Sequence, residues 1–216
     1  MKNRANTIGT MDDKQEFLKA LKIVKEVFNK NGIEYWLDYG TLIGAVRESK
    51  ILDWDYDTDI SFWWKDVEKV HRLKNEFSDY GYNLRGWYIY KLYKDGQNVV
   101  DIMPAHIEKN YVVKTSVPLY WAMKYVRLDR IFDWLDLSWL LNLSDRLGLV
   151  RDTFVLAREE SLGNFAYVPF YDDIFPIPEF VEDYLEFRYG DWRTPVVYRG
   201  LSECWVGERL YNIKND

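Results

Sequence analysis

The spacing of apolar and polar positions in the first half of the chain predicts helices that alternate with short strands. Apolar residues recur at helical spacing after Asp12, and Asn31-Gly32 is typical of a helix end. A second helical pattern covers residues 65–80. The segments with a strand-like pattern are 33–38, 57–63, 87–93, 98–103 and 111–115. Together these elements predict an α+β fold, with helices flanking a small mixed sheet.

The second half of the chain has a different pattern, rich in Leu and Trp. Residues 118–160 are predicted to be mostly helical, 175–178 a Pro-rich loop, and 179–189 a helix that ends at Gly190. The predicted organisation is a flexible leader (1–10), a catalytic core (11–115) and a mostly helical C-terminal part packed on it (116–216).

Composition narrows the classes of function. The net charge of −6 argues against a protein that binds nucleic acid by neutralising phosphates. Cys204 is the single cysteine, so neither an intrachain disulfide nor a cysteine-based zinc site is expected. We find no signal peptide and no transmembrane segment in the sequence, and we predict a cytoplasmic location. The apolar, Trp-bearing stretch 131–141 is expected to be a core helix, with peripheral membrane contact as the alternative.

A row of carboxylates is the strongest chemical feature. Asp53, Asp55, Asp57 and Asp59 alternate with other residues, so in an extended chain they point to one side, roughly 7 Å apart. Like charges at this distance repel, whereas a bound Mg²⁺ would attract all of them, because it takes carboxylate oxygens as ligands. We predict that Asp57 and Asp59, next to an apolar strand, form a metal pair. A solvated acidic loop is the alternative.

Four more residues are candidates for the same site. Gly40 allows close approach of a ligand, and Thr41 is predicted to cap a short helix whose free N–H groups favour a phosphate. Arg47 offers a guanidinium fork to a phosphate oxygen. For this turn, an ordinary strand-to-helix connection is the alternative. Asp101 lies in an apolar strand, where a carboxylate is costly without a partner, and is predicted to be a third acid of the site.

Segments 39–47 and 54–60 resemble the signature of the LicD/fukutin family, and 189–195 is similar to that family's C-terminal end. The resemblance implies a nucleotidyltransferase-like fold. It also implies transfer of phosphocholine or a polyol phosphate from a cytidine diphosphate donor onto a glycan, with Mg²⁺ or Mn²⁺ as cofactor. Two positions depart from the pattern: Asp53 replaces a usual Pro, and Tyr56 interrupts the acidic run.

By position in the family pattern, each candidate residue has an implied role. The matches are the phosphate-facing turn (Gly40 and Thr41), the metal pair (Asp57 and Asp59), the third acid (Asp101) and the basic residue after the short helix (Arg47). The role of Asp101, as a ligand of a second metal or as the general base, is left open.

The expected partners are a nucleotide-diphosphate-linked donor and a glycan or other hydroxyl acceptor, with a lipid-linked acceptor left open. Two alternatives share the same residues. The first is a nucleotidyltransferase that adds a nucleoside monophosphate to a protein, RNA or small molecule. The second is a cation-binding pseudoenzyme.

Overall fold

The computed structural model describes residues 11–86, 89–116 and 151–195. The described helices are α1 (Met11–Lys30), α2 (Tyr39–Ile43), α3 (Val67–Arg72), α4 (Lys74–Asp79), α5 (Glu159–Leu162) and α6 (Val181–Tyr189). The described strands are β1 (Tyr35–Leu37), β2 (Thr58–Trp63), β3 (Asn83–Gly86), β4 (Tyr90–Lys94), β5 (Gln97–Glu108), β6 (Tyr111–Ser116), β7 (Arg151–Arg158), β8 (Phe165–Phe170) and β9 (Asp173–Pro178). A π-helical turn (Gly44–Glu48) follows α2, and a 3₁₀ turn (Trp64–Asp66) precedes α3.

Seven of these strands form one mixed sheet, in which β5 is central. The order along the main path is β1-β2-β5-β4-β3, while β6 pairs with the end of β5 and β7 pairs with β6. The β2–β5 pair is parallel and the other pairs are antiparallel. The predicted α+β class with a mixed sheet and flanking helices is therefore confirmed.

Helix α1 covers the sheet with the apolar face that its spacing predicts. Phe17, Leu21, Val24 and Phe28 are all buried. Phe28 meets the rings of Tyr35 and Phe62 edge-on, at centroid distances of 5.7 and 6.1 Å. Burial of these large side chains holds β1 and β2 in place, and β2 carries Asp59, the last acid of the row.

The described part of the second half differs from the predicted helical pattern. Residues 151–158 form β7, which extends the sheet through β6, and the predicted loop 175–178 belongs to β9. The prediction of a mostly helical C-terminal part is therefore wrong for the residues described. Strand pairing with the core outweighs the local helical preference here. Residues 117–150, with the stretch 131–141, lie outside the described residues.

Two element boundaries in the first half also differ from prediction. The helix expected over 65–80 is divided, because the backbone at Leu73 departs from helical geometry between α3 and α4. The short helix after β1 begins at Tyr39 rather than after Thr41. Its cap is Asp38, whose side chain accepts a hydrogen bond from the Tyr39 N–H. Across the described helices, none combines the length and the hydropathy needed to span a bilayer.

Candidate active site

The parallel pairing of β2 with β5 brings three of the predicted carboxylates together. Asp59 lies in register with Asp101, and Asp101 lies in register with Lys91 on the other side. Side chains at paired positions share one face of a sheet. Asn98 donates to Asp57 Oδ2 at 2.9 Å and to Asp101 Oδ1 at 2.6 Å, so it bridges these two acids. We call Asp55, Asp57, Asp59 and Asp101 the carboxylate cluster.

Burial and mutual repulsion both disfavour the charged forms of Asp55, Asp57 and Asp59. Burial and then the Asp101 carboxylate raise the pKa of Asp57 to about 6. Burial and then the Asp57 carboxylate raise the pKa of Asp59 well above its usual value, and the same causes raise the pKa of Asp55 to about 7. The native protein therefore bears an electrostatic cost when these groups are ionised, and a bound cation would remove it.

The acids of the cluster differ in their capacity to hold a cation. Lys91 Nζ donates to Asp101 Oδ1 at 2.6 Å, which partly neutralises that carboxylate. In the described chain, no Lys or Arg forms a salt bridge with Asp57 or Asp59. Asp55 Oδ2 is buried without a hydrogen-bond partner. Residues 11–86, 89–116 and 151–195 contain no compact group of three or more His, Cys, Asp or Glu that could by itself hold a metal. A cation on Asp57 and Asp59 would therefore need ligands from the substrate or water as well.

The predicted phosphate-facing turn makes its contacts with the acidic row. Thr41 is fully buried, and its Oγ1 accepts a hydrogen bond from the Asp59 N–H at 2.8 Å. A Cβ on Gly40 would lie 2.5 Å from Asp55 Oδ2. Gly40 thus gives Asp55 room, and Thr41 fixes the backbone of Asp59. Contact of either residue with substrate remains a prediction.

We expect Thr41→Val to destabilise the protein by about 1–3 kcal/mol, because it leaves the buried N–H of Asp59 without an acceptor. Thr41→Ser keeps the hydroxyl and should recover most of the loss. Urea unfolding of the three proteins measures the difference. Equal stability of the Val and Ser variants would show that the Thr41 hydroxyl does not hold Asp59.

Arg47 lies in the π-helical turn and is bonded within the protein. Its Nη1 donates to the Trp192 carbonyl at 2.9 Å, and its Nη2 donates to Glu48 Oε1 at 2.7 Å. The side chain thereby ties the turn to the Gly190-Asp191-Trp192 segment. Its predicted contact with a substrate phosphate stays a prediction, and the guanidinium would have to rearrange to make it.

A buried ion pair below the turn was not predicted. Asp38 and Arg188 are 0% and 2% exposed, and Arg188 Nη1 donates to Asp38 Oδ1 at 2.9 Å. Asp38 also accepts from the hydroxyls of Tyr184, at 3.1 Å, and Ser61, at 2.6 Å. The Arg188 guanidinium stacks over the Tyr39 ring at 3.7 Å. This network joins α6 to β1, β2 and the start of α2. The sequence gives only a weak indication of this network, since Asp38 precedes Tyr39-Gly40 and Arg188 lies two residues before Gly190.

A buried lysine near the carboxylate cluster was also missed. Lys114 on β6 is 8% exposed, and its Nζ lies 3.0 Å from Met103 Sδ. Burial and the nearby Arg188 lower the pKa of Lys114 to about 8, although Asp59, Asp38 and Asp101 act in the opposite sense. The available signal was a Lys in the apolar strand Val112-Val113-Lys114. Its ammonium therefore interacts electrostatically with two acids of the carboxylate cluster, Asp59 and Asp101.

Comparison with known proteins finds a family model that matches part of the chain. Residues 32–132 match the model described as LicD/FKTN/FKRP, nucleotidyltransferase domain. An uncharacterized protein of Rickettsia prowazekii is 33% identical over 101 residues, which are 47% of this chain and 37% of that protein. Ribitol 5-phosphate transferase FKRP of Homo sapiens is 38% identical over 56 residues, 26% of this chain and 11% of the relative. The chain thus spans little more than a third, or less, of the length of these relatives.

Among solved structures, the fold is similar to that of the lincosamide antibiotic adenylyltransferase LnuA with lincomycin bound. The TM-score is 0.42 and the sequence identity is 17%, and the match covers 74% of this chain and 79% of LnuA. The matched family segment contains Gly40, Thr41, Arg47 and all four acids of the carboxylate cluster. The resemblance to the LicD/fukutin family that the sequence indicated is confirmed over residues 32–132, which match the model of that family's nucleotidyltransferase domain.

Proposed function

We propose that this chain is a metal-dependent transferase that moves a phosphate-linked group from a cytidine diphosphate donor to a hydroxyl of a glycan or similar acceptor. The observation that carries the proposal is the parallel β2–β5 pair, which sets Asp59 beside Asp101. Asp57 lies two residues before Asp59 and shares Asn98 with Asp101. Phosphoryl transfer depends on charge neutralisation and positioning, which a divalent cation held by such a cluster would supply.

Asp57 and Asp59 are the proposed ligands of Mg²⁺ or Mn²⁺. Hard oxygen donors suit both ions, and neither carboxylate forms a salt bridge within the described residues. A bound cation would neutralise charge that develops on the transferred phosphate and on the leaving group. Thr41 contributes indirectly, because it holds the Asp59 backbone through its hydroxyl.

Asp101 is held in place by two donors, Asn98 and Lys91. In one role it accepts the proton of the attacking hydroxyl. In the other it helps to bind a second cation. Either role requires the Lys91 ammonium to move away from Asp101 or to share it, since Lys91 lies within hydrogen-bonding distance of both carboxylate oxygens.

We propose that Lys114 also contacts the donor phosphate, in addition to the contact predicted for Arg47. Lys114 is buried and interacts electrostatically with Asp59 and Asp101, whereas Arg47 is bonded to Trp192 and Glu48. With a pKa of about 8, the Lys114 side chain is mostly protonated at neutral pH and attracts an anionic donor.

The identity of the group is supported by the relatives. FKRP is named a ribitol 5-phosphate transferase, which favours a polyol phosphate over phosphocholine for this chain. In the proposed step, the acceptor oxygen forms a bond to the donor phosphorus next to the polyol. The bond from this phosphorus to the bridging oxygen breaks, and cytidine monophosphate leaves.

The test uses cytidine diphosphate ribitol that is labelled in the ribitol in one sample and in the cytidine in another. The proposal predicts ribitol label in the acceptor and cytidine label in released monophosphate, with Mg²⁺ required. Cytidine label in the acceptor would instead support the nucleotidyltransferase alternative. No transfer and no binding of any nucleotide donor would support the pseudoenzyme alternative.

A further inference from the structure

A cleft lies at the opposite end of the sheet from the carboxylate cluster. It has a volume of about 670 Å³, between the end of α1, the start of β1 and the β8–β9 hairpin. Tyr35 lines it and pairs with Phe62 near the end of β2, whereas Asp59 lies at the beginning of that strand. The volume falls in the range of roughly 300–1,000 Å³ that is usual for small-molecule sites.

The Tyr35 hydroxyl is an unexplained polar group in this cleft. Tyr35 is 3% exposed, and its hydroxyl has no hydrogen-bond partner. Burial, with smaller effects from Asp173 and Tyr167, raises the pKa of Tyr35 above its usual value, so the hydroxyl keeps its proton. A buried O–H without an acceptor costs free energy that a ligand oxygen would recover.

The walls of the cleft are aromatic and apolar. Phe165 and Tyr167 lie on β8, and Ile174 and Pro176 on β9. Tyr167 is 68% exposed and Ile174 is 54% exposed, which is unusual for side chains of this size. Flat aromatic faces next to a hydrogen-bond donor suit a ligand that has an apolar face and a polar edge.

The charged groups of the cleft are already paired. Among the described residues that line it, Lys25 is the cation, and it bonds to Asp173 and to the Ile174 carbonyl. Glu34 forms a salt bridge with Lys65 at 3.0 Å. An anionic ligand would therefore have to break an existing ion pair, so this charge pattern favours a neutral ligand.

We propose that this cleft binds a carbohydrate. Pyranose rings combine apolar C–H faces, which pack on aromatic side chains, with hydroxyl edges that can accept from the Tyr35 O–H. The site is separate from the carboxylate cluster and needs neither donor nor cation. That this sugar belongs to the acceptor glycan, held away from its reacting hydroxyl, rests on the proposed function.

The test measures binding of lactose, maltose and diacetylchitobiose by saturation-transfer NMR, without donor or cation. At least one disaccharide is expected to bind. Tyr167→Ala should weaken that binding about tenfold, through loss of aromatic contact area. Tyr35→Phe should weaken it about threefold to tenfold, through loss of one hydrogen bond, without lowering the melting temperature of the free protein.

Phe180→Ala is the matched control, because Phe180 is a half-exposed aromatic residue outside the cleft lining. It should leave sugar binding unchanged. The proposal is overturned if no disaccharide binds, or if Tyr167→Ala and Tyr35→Phe change binding no more than Phe180→Ala does. Displacement of the sugar by pyrophosphate would also overturn it, since that would show an anion site. Because these arms omit the donor, their failure leaves the transferase proposal standing.

Discussion

Asp57→Ala and Asp59→Ala are each expected to lower the rate of transfer about a thousandfold, because each removes a carboxylate from the proposed cation site. The fold should survive both changes. Burial and then repulsion from neighbouring carboxylates raise the pKa of both acids, so we expect their removal to relieve an electrostatic cost of the cation-free native state. Single-turnover transfer in saturating Mg²⁺ measures the rate, and circular dichroism checks the fold.

Asp79→Ala is the matched control for these two variants. Asp79 is an exposed carboxylate at the end of α4, remote in sequence from the carboxylate cluster. Its removal should leave the rate of transfer unchanged. A rate near that of wild type in Asp57→Ala or Asp59→Ala would exclude the changed residue from the reaction.

Arg188→Met is expected to destabilise the protein by about 3–5 kcal/mol, because it leaves the Asp38 carboxylate buried without a compensating charge. Asp38 and Arg188 are both almost completely inaccessible, so water cannot replace the lost partner. The free energy of unfolding in urea measures the cost. The double variant Asp38→Asn/Arg188→Met should recover part of it, since no uncompensated charge remains.

Lys65→Met provides the comparison with an exposed pair. Lys65 and Glu34 form a salt bridge in which the side chains are 65% and 57% exposed. An exposed pair of this kind contributes up to about 1 kcal/mol to the free energy of unfolding. If Arg188→Met costs no more than Lys65→Met, the buried network does not hold α6 against the site.

The helix and strand pattern was predictable where one face of an element is buried. The apolar spacing of α1 identified its buried face, and the strand after Asp59 lies in the core. Boundaries set by single side chains were not predictable. The short helix begins at Tyr39 because Asp38 caps it, which the local sequence does not distinguish from the predicted Thr41 cap.

Elements that depend on distant pairing were also missed. Strand β7 forms against β6, across residues 117–150 of the chain, and no local spacing reports this pairing. The features of the candidate site that depend on distant residues were missed for the same reason. The alternation of Asp57 and Asp59 was visible locally, but the electrostatic effect of Asp59 and Asp101 on Lys114 joins residues of three different strands. The contact between Arg47 and Trp192 spans 145 positions of the chain.

The most direct test of the central claim, that Asp57 and Asp59 hold a divalent cation, is a set of melting curves in chelator and in Mg²⁺. Wild type, Asp57→Asn, Asp59→Asn and Asp79→Asn are compared at pH 8. Because the pKa of Asp57 is raised to about 6, its destabilising effect is absent at low pH and complete at pH 8. In chelator, both site variants should therefore melt above wild type.

Saturating Mg²⁺ should shrink or reverse the difference in melting temperature between the two site variants and wild type. Wild type gains roughly 2.7 kcal/mol at a hundredfold excess of cation over Kd, and the site variants gain less because they bind the cation poorly. Asp79→Asn should follow wild type in both conditions. If wild type and both site variants shift equally with Mg²⁺, then Asp57 and Asp59 do not hold the cation, and the account of this site is contradicted.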